Sequence, residues 1–354
     1  MNHRARTVGT TLGSVTIRRA YYRCSRCRAS STPYDEQVGL GGEAVSGEMA
    51  QAVLLLAVHH PFRQAADLLK ALTGQSVSSK TIHRLMLRVG RTACEQEDQE
   101  AERMKTWRPC PAEVQPHRLY VTTDGVTVRL EEGFKEAKVV TCYGETSPGR
   151  PFRRHRVRFE SAEPFSAYAW SLACRCGLGQ AAETVLLGDG AAWIWEHVGG
   201  VLGEQTTHIV DWYHAMQHVW ECGRALYGEG TGQTAAWVKK VENLLWNGEV
   251  RKILQRLKDE ADGESVAERR KALTGLITYL TNQDARLAYD RFRARGLDIG
   301  SGQVESACKN VVAARMKRAG MRWSPCGAQA TLSLRTVYMN EQWERFWRCK
   351  PLAA

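Results

Sequence analysis

The chain has 354 residues, of which 43% are hydrophobic and 25% are charged, and its formal net charge is +11. A chain of this length can bury a sizeable core in two or three domains, which excludes a small peptide-like module, and its composition excludes wholesale disorder. It has no run of 18 apolar residues and no apolar signal sequence at its N-terminus, so we expect a cytoplasmic protein without a membrane partner.

The positive charge is concentrated in three tracts. Residues 1–28 contain seven arginines and no acid, residues 150–158 contain five arginines, and residues 309–322 contain five cations. Clustered Lys and Arg gain affinity by releasing counterions from phosphates, so this distribution predicts a nucleic-acid partner. The residues that we expect to contact phosphate are Arg154, Arg156, Lys309, Arg315, Lys317, Arg318 and Arg322.

Residues 1–38 predict a basic β-hairpin, because β-branched and aromatic residues alternate with a period of two before a C-x-x-C turn. Cys24 and Cys27 have the spacing of one knuckle of a zinc ribbon, in which thiolates bind a tetrahedral Zn²⁺. The next cysteine is Cys94, so a complete four-cysteine site is not visible. The pair is therefore either half of a zinc site or two reduced thiols in a turn.

Residues 42–106 have helical periodicity and the outline of a helix-turn-helix. The first helix of the motif breaks at Thr73–Gly74, and Ser78 or Ser79 can cap the second. In such a motif the second helix enters the major groove of DNA, although many two-helix turns are purely structural. The side chains that would reach the DNA are Thr81, His83 and Arg84.

The remaining sequence divides into three parts. Residues 117–213 alternate apolar strands with a helix-like stretch, which predicts an α/β region with a mixed sheet. Residues 214–299 are amphipathic and rich in charge pairs, which predicts a helical insertion. Residues 300–348 follow without another strand and begin with glycines and Glu305 ahead of the third basic tract.

Three acids are candidates for metal-dependent phosphodiester chemistry. Asp124 and Asp189 each close an apolar strand and precede a glycine, which predicts a position on the rim of the sheet, where α/β proteins bind ligands. With Glu305 they could hold two Mg²⁺ or Mn²⁺ ions that activate one oxygen and stabilise another. The alternatives are aspartates that cap turns and a glutamate that favours a helix N-terminus.

A rival acid occurs in "HIVDWYHAMQHV". Asp211 and His214 are three residues apart and would share one face of a helix, as metal ligands or as packing and hydrogen-bonding residues. Asp211 therefore competes with Asp189 for the second catalytic place.

The stretches "LYVTTDGV", "TVLLGDGAAWIW", "HIVDWYHAMQHV" and "GSGQVESACKNVVAARMKRAGMRWS" resemble blocks of the Kra-type bacterial insertion-sequence transposases, within the Mutator-like DDE group. The resemblance covers most of the chain and is specific for "GDGAAWIW" and "VESACK". It implies a ribonuclease H-like catalytic core with an all-helical insertion, in which Asp124, Asp189 and Glu305 are the three acids. Asp211 and His214 fall where relatives have a Cys-x-x-His pair and would support the site.

The resemblance also implies an activity and its partners. A metal-activated water would cut at the terminal repeats of a transposon, and the freed 3′ hydroxyl would attack target DNA without a covalent enzyme intermediate. The partners would be double-stranded DNA and at least one further copy of the chain, in the nucleoid of a bacterium. Two alternatives stay open: a DNA-binding regulator without catalysis, and a metal-dependent nuclease with the same core.

Overall fold

The computed structural model describes residues 2–38, 40, 42–146 and 149–349. Its first element is a three-stranded antiparallel sheet in the order β1-β2-β3, followed by a short helix. The bounds are β1 Asn2–Thr10, β2 Gly13–Arg23, β3 Ser30–Ser31 and α1 Pro33–Gln37. Arg6 and Arg19 pair with Asp35 at 2.7 and 2.8 Å and hold the helix against the hairpin. The alternating sequence pattern is therefore confirmed as a hairpin.

Three helices come next: α2 Gly47–Ala57, α3 Phe62–Thr73 and α4 Ser79–Glu102. Gly74 ends α3 in the left-handed conformation, with φ of 72°, and the Ser78 hydroxyl caps α4 by accepting from the Thr81 amide at 3.1 Å. The predicted break and cap are both present. The apolar faces of these helices pack with Leu334, Trp343 and Phe346 near the end of the chain, so this region is anchored to the C-terminal helices.

The central sheet has five strands in the order β6-β5-β4-β7-β8. Strands β4, β5 and β6 form an antiparallel meander, whereas β7 and β8 run parallel to β4. Helical crossovers precede β7 and β8, as parallel pairing requires. The bounds are β4 Pro116–Leu130, β5 Gly133–Thr146, β6 Arg150–Arg158, α5 Ala162–Arg175, β7 Glu183–Gly188, a π-helical segment Ile194–Gly199, α6 Gly200–Leu202 and β8 Thr207–Val210.

Five helices follow β8, and their apolar residues form a single core with residues of the sheet and of α5. They are α7 Trp212–Tyr227, α8 Gly232–Trp246, α9 Val250–Gly263, α10 Ala267–Gln283 and α11 Tyr289–Ala294. Short 3₁₀ turns occupy Arg103–Thr106 and Asp284–Arg286. In the part of the chain that the structure describes, no helix has the length and apolarity needed to cross a membrane.

The chain ends in helices that pack on the face of the sheet formed by Val126, Val128 and Val139. They are α12 Gly302–Ala307, a π-helical segment Cys308–Ala313, α13 Ala314–Met316, α14 Pro325–Met339 and α15 Trp343–Arg348. The third basic tract is helical only in its first part, because the helix ends at Met316. Lys317, Arg318 and Arg322 lie in the irregular segment before α14.

Candidate active site at the end of the central sheet

Asp124 and Asp189 lie at corresponding positions of two neighbouring strands. The parallel register of β4 and β7 ends at the pair Thr122↔Leu187, and two residues further it sets Asp124 against Asp189. Residues two apart on a strand share a face, and neighbouring strands are about 4.8 Å apart, so both carboxylates lie on the same side of the same sheet end. The two acids are thus brought together, as the sequence predicts.

Their surroundings differ from the prediction in one respect. Asp124 was expected to close its strand, but β4 continues to Leu130 in antiparallel pairing with β5. Only Asp189 lies directly beyond a strand, where its Oδ1 accepts from the Ala191 amide at 2.8 Å. Gly190 turns the chain there with φ of 102°, a conformation that favours glycine. The strand end at Asp124 is therefore the end of parallel pairing, not of β4.

The aspartates form an electrostatic group with His214. Burial raises the pKa of Asp124 above its ordinary value, and the charge of Asp189 adds to the rise, against hydrogen bonds from the Gly125 amide and the Cys308 thiol. The pKa of His214 is also raised, first by its contact with Asp211 and further by Asp189 and Asp124. Carboxylates in such proximity favour a cation between them.

Asp211 holds the protein chain in place. Its side chain is 1% exposed, its Oδ1 accepts from the His214 amide at 2.7 Å as the cap of α7, and its Oδ2 accepts from the Ser301 amide. Ser301 immediately precedes α12, the helix that carries Glu305. Each carboxylate oxygen therefore accepts from a backbone amide, whereas Asp189 is the acid that the strand register places beside Asp124.

Glu305 is close to this group but outside it. Val304, Ala307 and Cys308 pack against Val126 and Val139 on the Asp124 side of the sheet. The Cys308 Sγ donates to Asp124 Oδ2 at 3.5 Å. Glu305 itself, with 63% of its side chain exposed, pairs with Lys309 at 2.6 Å. An exposed i,i+4 pair contributes only about 0.3–0.5 kcal/mol, so little free energy holds the carboxylate away from Asp124.

The residues fit a hard divalent ion in part. Asp124 and Asp189 supply the oxygen donors that Mg²⁺ and Mn²⁺ prefer, and a cation would relieve the repulsion between them, which adds to the effect of burial on the pKa of Asp124. Within the described ranges, no three His, Cys, Asp or Glu side chains converge closely enough to hold a metal ion. The third predicted ligand, Glu305, would have to leave Lys309 to join them.

The Cys24 and Cys27 pair lies in the exposed turn between β2 and β3. The Cys27 amide lies 3.5 Å from the Cys24 Sγ, and this contact lowers the pKa of the Cys24 thiol. Such amide contacts favour a thiolate. No third or fourth zinc ligand joins the pair among the residues whose positions are described, so zinc binding at this turn stays a prediction.

Comparison with known proteins places the chain in a family. The profile of the family described as "Uncharacterised protein family (UPF0236)" matches residues 1–348. The chain belongs to the UPF0236 family. It is 25% identical over 361 residues to a protein described as "UPF0236 protein in vanSb 3'region" from Streptococcus gallolyticus, with 97% of this chain and 75% of the relative covered. Neither description names a reaction, so the transposase resemblance stays a prediction.

Two residues of this UPF0236 chain that sequence reasoning missed connect α10 to the Asp189 turn. Tyr279 Oη donates to the Asp189 carbonyl at 3.4 Å, and Gln283 Nε2 donates to the Gly190 carbonyl at 2.9 Å. The acid Asp189 raises the pKa of Tyr279 beyond the effect of burial. The helical insertion therefore contacts the backbone of the candidate site, a relation that no spacing in the sequence indicates.

The helix after Asp189 and the helix that carries Glu305 both include a π-helical segment in this UPF0236 chain. One spans Ile194–Gly199, after Asp189, and the other spans Cys308–Ala313, after Glu305. Segments of this kind are rare and frequently occur at functional sites, because the extra residue in the turn changes the direction of neighbouring side chains. Their positions support the same end of the sheet as the site.

Two of the predicted phosphate contacts in the UPF0236 chain are wrong. Arg156 is 5% exposed and its Nη2 pairs with Glu100 at 2.6 Å, which attaches β6 to α4. Arg315 is 1% exposed and its Nε donates to the Ala57 carbonyl at 3.0 Å. The guanidinium groups of Arg156 and Arg315 are therefore too deeply buried to reach a phosphate. Arg154, by contrast, is partly exposed and faces Glu341 at 3.4 Å.

The other predicted contacts lie on the surface. Exposed side chains are Lys309, Lys317, Arg318, Arg322, His83 and Arg84, and Thr81 is half-buried. The ring of Phe62 lies 5.4 Å from that of His83 and 6.4 Å from that of Trp323. This contact places the beginning of α4 beside the segment that carries Arg318 and Arg322. The cations from the two distant stretches of sequence are therefore neighbours.

Proposed function

We propose that this UPF0236 protein is a metal-dependent DNA strand transferase of the DDE type, and so a transposase of an insertion sequence. The observation that carries the proposal is the register of β4 and β7, which sets Asp124 against Asp189, with the helix of Glu305 packed on the same side of the sheet. The strand order and the helices between β8 and α12 support a ribonuclease H-like core with an insertion.

The proposal gives each group a role. Asp124 and Asp189, joined by Glu305, would hold one or two Mg²⁺ or Mn²⁺ ions, which supply a Lewis acid for the attacking and leaving oxygens of a phosphodiester. Asp211 keeps the chain before α12 in place through the Ser301 amide. His214, whose pKa is raised by Asp211 and further by Asp189 and Asp124, can donate a hydrogen bond to a phosphate oxygen when it is protonated.

The surface cations would bind the DNA backbone. Lys317, Arg318 and Arg322 lie beside the beginning of α4, where His83 and Arg84 are exposed. Such contacts position a duplex without reading its sequence. The terminal repeats and the target are the proposed DNA partners, and two transposon ends would require at least a dimer of this chain.

A second candidate is a DNA-binding protein without catalysis. The observation that favours it is the pairing of Glu305 with Lys309, which leaves the third acid outside the group of Asp124 and Asp189. A nuclease would share the site of the transferase and differ in its product, because hydrolysis would yield ends that are not joined to target DNA.

Titration of Mn²⁺ and Mg²⁺ into the protein bound to a short duplex separates these candidates. The variants are Asp124→Asn, Asp189→Asn and Glu305→Gln, with Asp259→Asn, an exposed acid of α9, as the matched control. We expect the three site variants to lose metal binding and DNA cleavage while duplex affinity is retained. Equal cleavage by Asp124→Asn would overturn the enzyme, and cleavage without joined products would identify a nuclease.

A further inference from the structure

We infer that Arg335 is a positioning residue for Glu305, which it connects to the helical region of residues 42–106. The inference rests on the proposed function for its catalytic consequence, but its structural part stands alone. Arg335 belongs to a set of three guanidinium groups that we call the arginine clamp, formed by Arg315, Arg318 and Arg335. The clamp joins the end of α2 to the helix that begins with α12.

The clamp binds three consecutive carbonyls at the C-terminal end of α2. Arg315 Nε donates to the Ala57 carbonyl at 3.0 Å and Arg318 Nη2 to the His59 carbonyl at 3.0 Å. Between them, Arg335 Nη1 donates to the Val58 carbonyl. The last carbonyls of a helix lack partners within the helix and carry the negative end of its dipole, so cations are stabilised there.

Arg335 also reaches the π-helical segment after Glu305. Its Nε donates to the Val311 carbonyl at 2.8 Å, and its Nη2 donates to the Asn310 carbonyl at 2.6 Å. One planar guanidinium thus spans two elements that are far apart in sequence. Since a guanidinium holds its donors in a rigid fork, the distance and angle between α2 and the π-helical segment are fixed together. The segment begins at Cys308, whose thiol contacts Asp124.

Ordinary packing does not explain this arrangement. Arg315 and Arg335 are 1% and 5% exposed, and burial together with the neighbouring arginines lowers the pKa of Arg315 to about 9 and that of Arg335 to about 10. Across the described residues, no carboxylate pairs with any guanidinium of the clamp. A buried charge without an acidic partner lowers the stability of the folded protein. Proteins retain such destabilising groups mainly where a functional site needs a fixed geometry.

The clamp gives the basic surface and the site a mechanical connection. Arg318 is exposed and contacts Gln64 of α3 at 3.4 Å. DNA that binds beside α3 and α4 would therefore contact the arginine clamp, which also holds the π-helical segment through Arg335. Movement of that segment changes the position of Glu305 relative to Asp124. The helix-turn-helix region would thereby position the third acid through Arg335.

The test compares Arg335→Lys with Arg158→Lys in the full-length protein. Lys keeps the charge but cannot span α2 and the π-helical segment. Arg158 is also buried and binds Glu97 at 3.1 Å, but it attaches β6 to α4. Hydrogen exchange of the metal-free protein should rise about ten-fold across residues 302–316 in Arg335→Lys, with β4 unchanged, because charge-assisted bonds to the segment are lost.

Arg158→Lys should instead raise exchange in α4 and leave residues 302–316 as they are. Arg318→Gln, at an exposed position that tolerates substitution, should raise exchange about three-fold at residues 302–316, through its lost bond to His59. Unchanged exchange at 302–316 in both clamp variants, or an equal rise in Arg158→Lys, would overturn the clamp.

Mn²⁺ titration with the duplex bound supplies the second measurement. We expect Arg335→Lys to raise the half-saturating Mn²⁺ concentration about ten-fold, since Glu305 is no longer held near Asp124, with duplex affinity within about two-fold of the wild type. Faster exchange with an unchanged Mn²⁺ titration would refute the positioning of Glu305 by Arg335 but would leave the structural role of the clamp in place. A wild type that binds no Mn²⁺ would overturn the proposed function and leave the exchange result intact.

Discussion

Asp211→Asn tests whether a buried carboxylate fixes the position of the helix that carries Glu305. The wild-type side chain is 1% exposed and uses one oxygen for the His214 amide and the other for the Ser301 amide. Asparagine has nearly the same shape but only one acceptor oxygen. One backbone N–H must then face the amide NH₂ group, which is also a donor.

The size of the effect follows from these two bonds. A hydrogen bond to a charged group contributes about 1.5–3 kcal/mol, and a neutral one contributes about 1 kcal/mol. The variant exchanges two bonds of the first kind for one of the second and leaves an amide without a partner. We therefore expect the free energy of unfolding to fall by about 3 kcal/mol, and cleavage activity to fall with it as Ser301 and α12 shift.

Urea unfolding followed by tryptophan fluorescence gives the free energy, with the exposed Asp259→Asn as the control for removal of one charge. Contacts with His214 and Ser301, from their side chains and then from their backbone amides, hold the pKa of Asp211 below its ordinary value despite burial. A depressed carboxyl pKa contributes stability above the unfolded pKa, about 3.9, which is lost as pH falls through the folded pKa. The difference between wild type and Asp211→Asn should therefore shrink below about pH 4, where Asp211 becomes protonated. It should also shrink as the pH rises through the pKa of His214, because Asp211 raises that pKa and stabilises the protonated imidazole. A loss under about 1 kcal/mol at pH 7, or a loss equal to that of Asp259→Asn, would refute the two-bond account.

Three further predictions concern the site and the surface. Arg318→Gln should reduce the slope of log affinity against log salt by about 1 in duplex titrations. Arg156→Gln should leave the slope unchanged, because Arg156 is buried. Equal slopes for both variants would contradict the assignment of Arg318 to the DNA-binding surface. Asp189→Asn should lower the pKa of Asp124, since the charge of Asp189 helps to raise it; carboxyl-carbon NMR measures the shift, and an unchanged pKa would separate the two acids. Gly190→Ala should destabilise the protein by about 1–3 kcal/mol in thermal unfolding, because φ is 102° there, and a neutral effect would show that the turn relaxes.

The elements of the fold were visible in the sequence because each depends on local pattern. The alternation before Cys24, the break at Gly74 and the cap at Ser78 act within a few residues, and the structure has all three. The alignment of Asp124 with Asp189 could also be predicted, since each comes at the end of an apolar run of sequence. The continuation of β4 could not, because its pairing with β5 after Gly125 depends on a partner strand, not on the residues around Asp124.

Charge was the least informative feature at individual positions. Arg156 and Arg158 look like the solvent side of an alternating strand, yet both sides of β6 are covered, and the acids that neutralise these arginines come from α4, about sixty residues earlier. Arg315 shows the opposite case, since it is buried against the Ala57 carbonyl and two aromatic rings, and no acid in the described part of the chain pairs with it. Within a basic tract, only the exposed residues indicate a polyanionic partner. Which residues are exposed and which are buried depends on contacts between segments that are distant in the sequence. For this reason we propose that the exposed Arg318 and Arg322 contact DNA, whereas the buried Arg315 and Arg335 fix the position of the helix that carries Glu305.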